Sequence, residues 1–195
     1  QLPGLRTGVT SVHFTADGRH LMLAGAEGEF GLWSAETGEP VGPLRRGPKD
    51  LRVRLVPSAD RRLAVLTSMP REEARALERV VGSILRWTPD ADAAPVALAN
   101  QTAPAWYAAL SPDHRLLAAS ETSNQVRIYD LVGGQPTRTF PVSSHSYPLV
   151  FSPDGKRLAV RTPARTIPIF EVASGQLIHD LPCPSPVGAI ISALR

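Results

Sequence analysis

Residues 146–160 read SYPLVFSPDGKRLAV. Apolar residues flank a turn in which Gly155 accepts positive φ at no steric cost, so Asp154-Gly155 suits a tight hairpin. Working outward, the same pattern returns as AWYAALSPDHRLLAA at 105–119, as VTSVHFTADGRHLMLAG at 9–25 and, more weakly, as LRVRLVPSADRRLAV at 51–65. Anchored on Phe14, Val56, Leu110 and Phe151, the copies are spaced by 42, 54 and 41 residues. A second anchor, Trp33, Trp87, Tyr129 or Phe170, follows after 19, 31, 19 and 19 residues. A third, Leu44, Leu98, Phe140 or Leu181, comes 11 residues later each time. Three positions held in register through four copies mark an internal repeat.

Each copy consists of short apolar segments broken by turn residues. Later turns also end in glycine, as in Glu36-Thr37-Gly38 and Ala173-Ser174-Gly175. Four strands in a unit of about 42 residues is the period of a β-propeller blade. The sequence therefore predicts an all-β arc of about four four-stranded antiparallel blades, with repeats near 9–44, 51–98, 105–140 and 146–181. The strands bearing Trp33, Trp87, Tyr129 and Phe170 are predicted to hold equivalent third positions. Residues 187–195, where Val187 and Ile190 match Val9 and Val12, are expected to begin a fifth blade. Pro148 and Pro104 fall in or just before first strands, where an N–H can be spared. Pro168 falls in a third strand and predicts a lost ladder bond or a bulge.

Composition agrees. The chain of 195 residues has 43% hydrophobic and 20% charged residues, ordinary for a globular domain and unlike collagen, coiled coil or wholesale disorder. A single cysteine, Cys183, excludes a disulfide framework and a multi-cysteine zinc site and fits a reducing compartment. No apolar run is long enough to span a bilayer as a helix. The opening QLPGLRTG has neither the initiator Met nor the basic and apolar regions of a signal peptide; it is read as the start of a processed chain or of a piece of a longer one. With 21 basic and 18 acidic residues, the net charge is +3, a weak bias toward anionic partners.

The strings FSPDGKRLAV, LSPDHRLLAAS, VRIYDLVGGQ, FGLWSAETGE and ILRWTPD resemble the WD-repeat β-propeller family. The resemblance covers nearly the whole chain, in a degenerate, bacterial-type form. The family's Gly-His pair is missing, and its Trp-Asp pair stands as Trp33-Ser34, Trp87-Thr88, Tyr129-Asp130 and Phe170-Glu171. The buried His–Asp–Ser–Trp network of the family is therefore not expected here. The resemblance implies a first strand at the propeller axis, a fourth outside, and a partial ring completed by further sequence or by a second chain. It also implies apolar blade faces left bare at both ends of the arc, hence self-association.

Two segments carry candidate contacts. The extra 12 residues of the second copy fall between Leu66 and Ile84, in a segment that reads SMPREEARALERVVG. Ser68 as N-cap, Pro70 in the first turn and Glu72 and Glu73 at the positive end predict a short helix over 68–82. Its Glu72, Arg75 and Arg79 are candidate partner contacts, a decorated hairpin loop being the plainer alternative. The densest basic run, RRGPKDLRVR at 45–54, offers Arg45, Arg46, Lys49, Arg52 and Arg54 to an acidic peptide, or is a solvated loop. Arg54 aligns with Val12, Ala108 and Leu149, which directs it toward the channel.

No cofactor or metal is expected. The five histidines lack metal-ligand spacing, and there is no G-x-S-x-G elbow and no phosphate loop. Basic residues without interleaved aromatics argue against nucleic acid. The expected function is a non-catalytic scaffold for a protein or peptide partner, a cytoplasmic WD-repeat region of a larger bacterial protein. The alternative is an enzymatic propeller of lactonase or quinoprotein type with a central-channel site, where His13 is the one histidine on a first strand.

Overall fold

The hairpin glycines adopt the conformation their position demands. In the computed structural model Gly18, Gly38, Gly155 and Gly175 have φ of 68°, 73°, 70° and 78°, and His114 adopts 59° where Gly18 and Gly155 stand in the other copies. The structure describes residues 3–5, 8–47, 51–58, 60, 63–70, 84–89, 94–98, 105–121, 124–142, 148–163 and 165–183. The start of a fifth blade at 187–195 lies outside them.

These turns fold the chain into four consecutive antiparallel sheets. Blade 1 contains β1 (Val9–Phe14), β2 (His20–Gly25), β3 (Glu29–Ser34) and β4 (Pro40–Arg46). Blade 2 contains β5 (Leu51–Pro57), β6 (Ala64–Pro70), β7 (Ile84–Trp87) and β8 (Val96–Ala97). Blade 3 contains β9 (Ala105–Leu110), β10 (Leu116–Glu121), β11 (Gln125–Asp130) and β12 (Pro136–Pro141). Blade 4 contains β13 (Leu149–Phe151), β14 (Arg157–Val160), β15 (Thr166–Glu171) and β16 (Leu177–Pro182). In every sheet the strands lie side by side in chain order, and the second anchors all fall in the third strand. No helix occurs among the described residues. Neighbouring blades meet through their first and second strands, β1 and β2 on β5, β5 and β6 on β9, and β9 on β13. First strands therefore line the inside of a β-propeller arc.

The register corrects two expectations. Leu117 pairs with both Leu110 and Tyr129, and Leu21 with both Phe14 and Trp33. In blade 2, Ala64 pairs with Trp87 and with Pro57. Pro57, not Val56, is thus the first anchor of that blade. The slot of Val12 and Ala108 is filled by Leu55, while Arg54 shares the slot of Ser11 and Tyr107. Likewise, β6 continues through Ser68, Met69 and Pro70, which pair with Val53, Arg52 and Leu51. Ser68 and Pro70 extend a strand and do not open a helix over 68–82, because the long β5 beside them offers a ladder. Residues 71–83, with Glu72, Arg75 and Arg79, lie outside the described residues.

Pro168 acts as its missing N–H dictates. The β14–β15 ladder stops at Ala159–Ile169, one pair before Pro168, whereas the matching ladder of blade 3 runs on to Glu121–Gln125. The bulge between Ile169 and Phe170 recurs between Ile128 and Tyr129, so it belongs to the repeat and is not an effect of proline.

Alternate side chains of each sheet face opposite neighbours, and the anchor ring of one blade packs on the reverse face of the blade before it. Met22, Ala24 and Phe30 meet Leu55, Leu66 and Trp87. Val65 and Ile84 meet Leu117, Ala119 and Tyr129. Ala118, Val126, Ile128 and Phe140 meet Leu158, Val160 and Phe170. Phe30 meets Trp87 edge-on at 5.4 Å and Phe140 stacks on Phe170 at 5.2 Å, contacts worth about 0.5–1.5 kcal/mol each beyond their burial.

The ends differ from the expectation of bare faces. Trp33 is fully buried without packing on another described blade, because Leu5 and Leu44 cluster with it and Leu23. The Trp33 indole N–H donates to the Pro3 carbonyl at 3.1 Å. Leu5 and Val142 each stand nine residues before a first anchor and each joins the cluster of the ring that follows. The inner part of the same face stays open, with Val9, Val12 and Phe14 exposed. At the far end Val150, Leu177 and Leu181 are exposed.

Candidate functional site

Four equivalent turns use the polar residues around the hairpin glycines. The hydroxyls of Thr15, Ser58, Ser111 and Ser152 donate to Asp17, Asp60, Asp113 and Asp154 at 2.5–2.6 Å. The same oxygens accept the amides of His20, Leu63, Leu116 and Arg157 at 2.9–3.2 Å. In three of the turns the aspartate accepts a further amide, from Arg19, Arg115 or Lys156. The hydroxyl first, then the amide, holds the carboxyls of Asp17, Asp113 and Asp154 below their ordinary value. These aspartates are committed to turn geometry. Ser/Thr-x-Asp at fixed offset was the signal for this motif, and it also marks the true register of Pro57.

Along the inner strands, side chains of one blade satisfy the edge of the next. Thr10 Oγ1 donates to the Val53 carbonyl at 2.6 Å, and Ser11 Oγ accepts the Leu55 amide at 3.0 Å. An edge strand otherwise presents unpaired donors and acceptors.

The described side chains of the basic run reach different neighbours. Arg54 reaches the first strand of blade 3, its guanidinium 5.2 Å from the Tyr107 ring centroid, a cation–π contact. The Arg46 guanidinium lies 3.7 Å from Glu29 Oε1. Arg45 is half-buried beside it in β4. Arg52 lies in β5 without a described side chain, and Lys49 is outside the described residues. His20 and His114 lie 3.7 and 3.6 Å from Asp17 and Asp60, and no group of three metal-binding side chains occurs among the described residues.

Two buried carboxylates were missed by the sequence reading. Glu121 is fully buried at the end of β10. It accepts the Tyr129 hydroxyl at 2.6 Å and faces the Arg127 guanidinium at 3.4 Å. Burial pushes its pKa up, opposed by the Tyr129 hydrogen bond and by Arg127. Burial, then the bond to Glu121, raises that of the Tyr129 phenol. Glu29 opens β3 at 2% exposure, with no hydrogen bond to either carboxylate oxygen. Thr162 and Thr166 hold the matching places in blade 4, their hydroxyls 3.2 Å apart. The four anchor rings thus have four polar settings: Trp33 bonds Pro3, Tyr129 bonds Glu121, Phe170 has no polar atom, and the buried Trp87 Nε1 has no hydrogen-bond partner among the described residues.

A surface groove lies between blades 3 and 4, at the end that carries the first and third hairpin turns. A groove of about 500 Å³ is lined by Leu116, Ile128, Thr137, Arg138, Gly155, Lys156, Glu171, Val172 and Ala173. Ile128 and Val172 form a buried floor, and Arg138, Lys156 and Glu171 stand exposed around it. Glu171 accepts a hydrogen bond from Ser174. None of these residues belongs to the basic run.

The junction between blades 2 and 3 is built differently. There Arg86 donates to the Leu131 carbonyl of the next blade at 3.2 Å. Arg86 and Ile128 each immediately precede an anchor ring, and Leu131 and Val172 each follow one by two residues. Arg86 pairs across its sheet with Val96, Ile128 with Arg138, and at the first junction Leu32 with Val41. The groove therefore coincides with a bridging arginine replaced by an aliphatic residue and an arginine moved to the outer strand.

No protein-family model matches the chain and no curated protein matches it. No helix among the described residues is long and apolar enough to cross a membrane.

Proposed function

We propose that the chain is a non-catalytic interaction scaffold, a degenerate WD-repeat-like region of a larger cytoplasmic bacterial protein, which presents inter-blade surface to a protein or peptide partner. The observation that supports this reading is the groove between blades 3 and 4. Packed blades hold its apolar floor in place, and the exposed side chains of Arg138 and Lys156 at its rim belong to none of the blade cores. Rigid frames with adaptable loops and edges favour recognition, because little ordering is left to oppose binding. The WD-like strings, Phe-Ser-Pro-Asp-Gly at 151–155 and Ile-Tyr-Asp at 128–130 among them, point to the same class, in which function is set by surfaces grafted on a common fold.

The test is site-specific photo-crosslinking in cells from Thr137 in the groove, Arg46 on the basic strand and Leu177 on the outer strand of blade 4. A discrete protein adduct from at least one position, reproducible and absent from unfolded chain, is the expected result. Absence of adducts from all three, together with hydrolase or lactonase turnover lost in His13→Ala, would replace the scaffold with the enzymatic propeller.

A further inference from the structure

We infer that the groove between blades 3 and 4 binds a peptide segment presenting an aliphatic side chain beside carboxylates. The inference rests on the scaffold reading and names the partner chemistry for it.

The apolar half comes from the floor. At the junction of blades 2 and 3 the stem and head of Arg86 cross to the next blade. At the junction of blades 3 and 4 the side chain in that position is Ile128, too short to cross and unable to donate. Leu116, Ile128 and Val172 then present an apolar bed within a space of about 500 Å³, large enough for a leucine or isoleucine side chain and its backbone.

The charged half comes from the rim. Arg138 replaces the outer-strand aliphatics Val41 and Val96 of the other junctions. Lys156 spends its backbone N–H on the Asp154 turn and keeps its ammonium for other contacts. Neither side chain makes a hydrogen bond or ion pair with the described residues. Glu171 is the one acid of the lining, and its carboxylate already accepts the Ser174 hydroxyl. Two cations against one anion leave the groove with a charge of +1. A planar guanidinium suits bidentate recognition of a carboxylate, and the ammonium supplies a second point charge.

The test uses the full chain, isotope-labelled, titrated with capped peptides. The probe is Gly-Gly-Glu-Leu-Asp-Gly-Gly; its counterparts carry Lys-Leu-Arg or Gln-Leu-Asn at the centre. The acidic peptide is expected to give saturable amide shifts at Gly155, Lys156, Val172 and Ala173, weakened by salt. It should bind at least tenfold tighter than the Lys-Leu-Arg peptide. The double substitution Arg138→Glu, Lys156→Glu lies on the surface and should reverse that preference with the fold intact. Ile128→Arg, which copies the arrangement of blade 2, should fill the groove and abolish the shifts. Absence of saturable shifts at those four amides, equal binding of acidic and basic peptides, or unchanged acidic binding after the double reversal would each overturn the inference. Crosslinks from Arg46 or Leu177 would still stand, so failure here is distinguishable from failure of the scaffold reading.

Discussion

Blades 1 and 3 each bury a glutamate at the mouth of their central hairpin, and they do so by different means. In blade 3 Glu121 ends the second strand, receives the Tyr129 hydroxyl and faces Arg127, which is itself only 14% exposed. In blade 1 the acid is on the opposite strand. The Glu29 carboxylate accepts no hydrogen bond from the described residues, and its counter-ion, Arg46, is 60% exposed. A buried charge is costly unless paired and hydrogen-bonded. Blade 3 meets more of that requirement within the sheet, with a hydrogen bond to Oε1 and an ion pair at Oε2 that makes no hydrogen bond, and blade 1 meets less of it, from the rim. The mouth of the central hairpin can thus hold a carboxylate anchored by a neighbouring side chain of its own sheet or one whose counter-ion is largely solvated.

The contrast is sharpest in the counter-ions. Arg127→Ala removes the enclosed partner of a buried carboxylate and should destabilise the chain by about 3 kcal/mol. Arg46→Ala removes a largely solvated partner and should cost less than about 1 kcal/mol. Urea unfolding of both variants at neutral pH checks the pair, and equal losses would erase the distinction between the blades.

A smaller effect is expected for Tyr129→Phe. It keeps the ring in the core with Leu117 but leaves Glu121 Oε1 without its donor, a loss of about 1–3 kcal/mol. The same measurement on Trp33→Phe tests whether the bond to Pro3 matters as much; the exposed position of Pro3 predicts a smaller loss from that bond.

The smallest effect is a slope in pH. Burial makes the folded chain hold the Glu121 proton more tightly than the unfolded chain, whose ordinary glutamate value is 4.5. The stability linked to this group is full below that value and declines as pH rises through the raised one. The turn aspartates act in the opposite sense. Their stabilisation is present above 3.8 and is lost as pH falls through their lowered values. Thermal melts of wild type and Glu121→Gln from pH 4 to 8 should therefore converge at the acid end and separate upward, the wild type falling relative to the variant. Parallel curves would show that Glu121 titrates alike in both states.

Much of the fold was legible because propeller blades repeat. Phe14, Leu110 and Phe151 and the rings of the third strands fix the sheets through apolar positions that recur at constant spacing. Blade 2 was misread by one residue because Val56 is the obvious hydrophobe, whereas the Ser58–Asp60 turn places Pro57 in the slot. Ser68 and Pro70 suit a helix start, yet pairing with Val53 and Leu51 overrides local propensity. The candidate site was barely legible. Arg138 and Lys156 are unremarkable in sequence, and their significance depends on Ile128 occupying the position of Arg86, a relation visible only across junctions. Glu29 and Glu121 were missed because a charged residue beside a turn reads as solvent-facing until its neighbours are known.

Every sheet is closed by strands adjacent in sequence, so each blade is also a unit of inheritance. A recombination event that duplicates or deletes the stretch between two equivalent turns adds or removes a whole sheet and severs no hydrogen-bond ladder. What such an event cannot carry is the fit between neighbours. Arg54 must find a Tyr107, Arg86 a Leu131 carbonyl and the Leu55 amide a Ser11. A blade copied to a new address therefore keeps its fold and loses its seams, and new surfaces can arise at those seams at little risk to the sheets themselves.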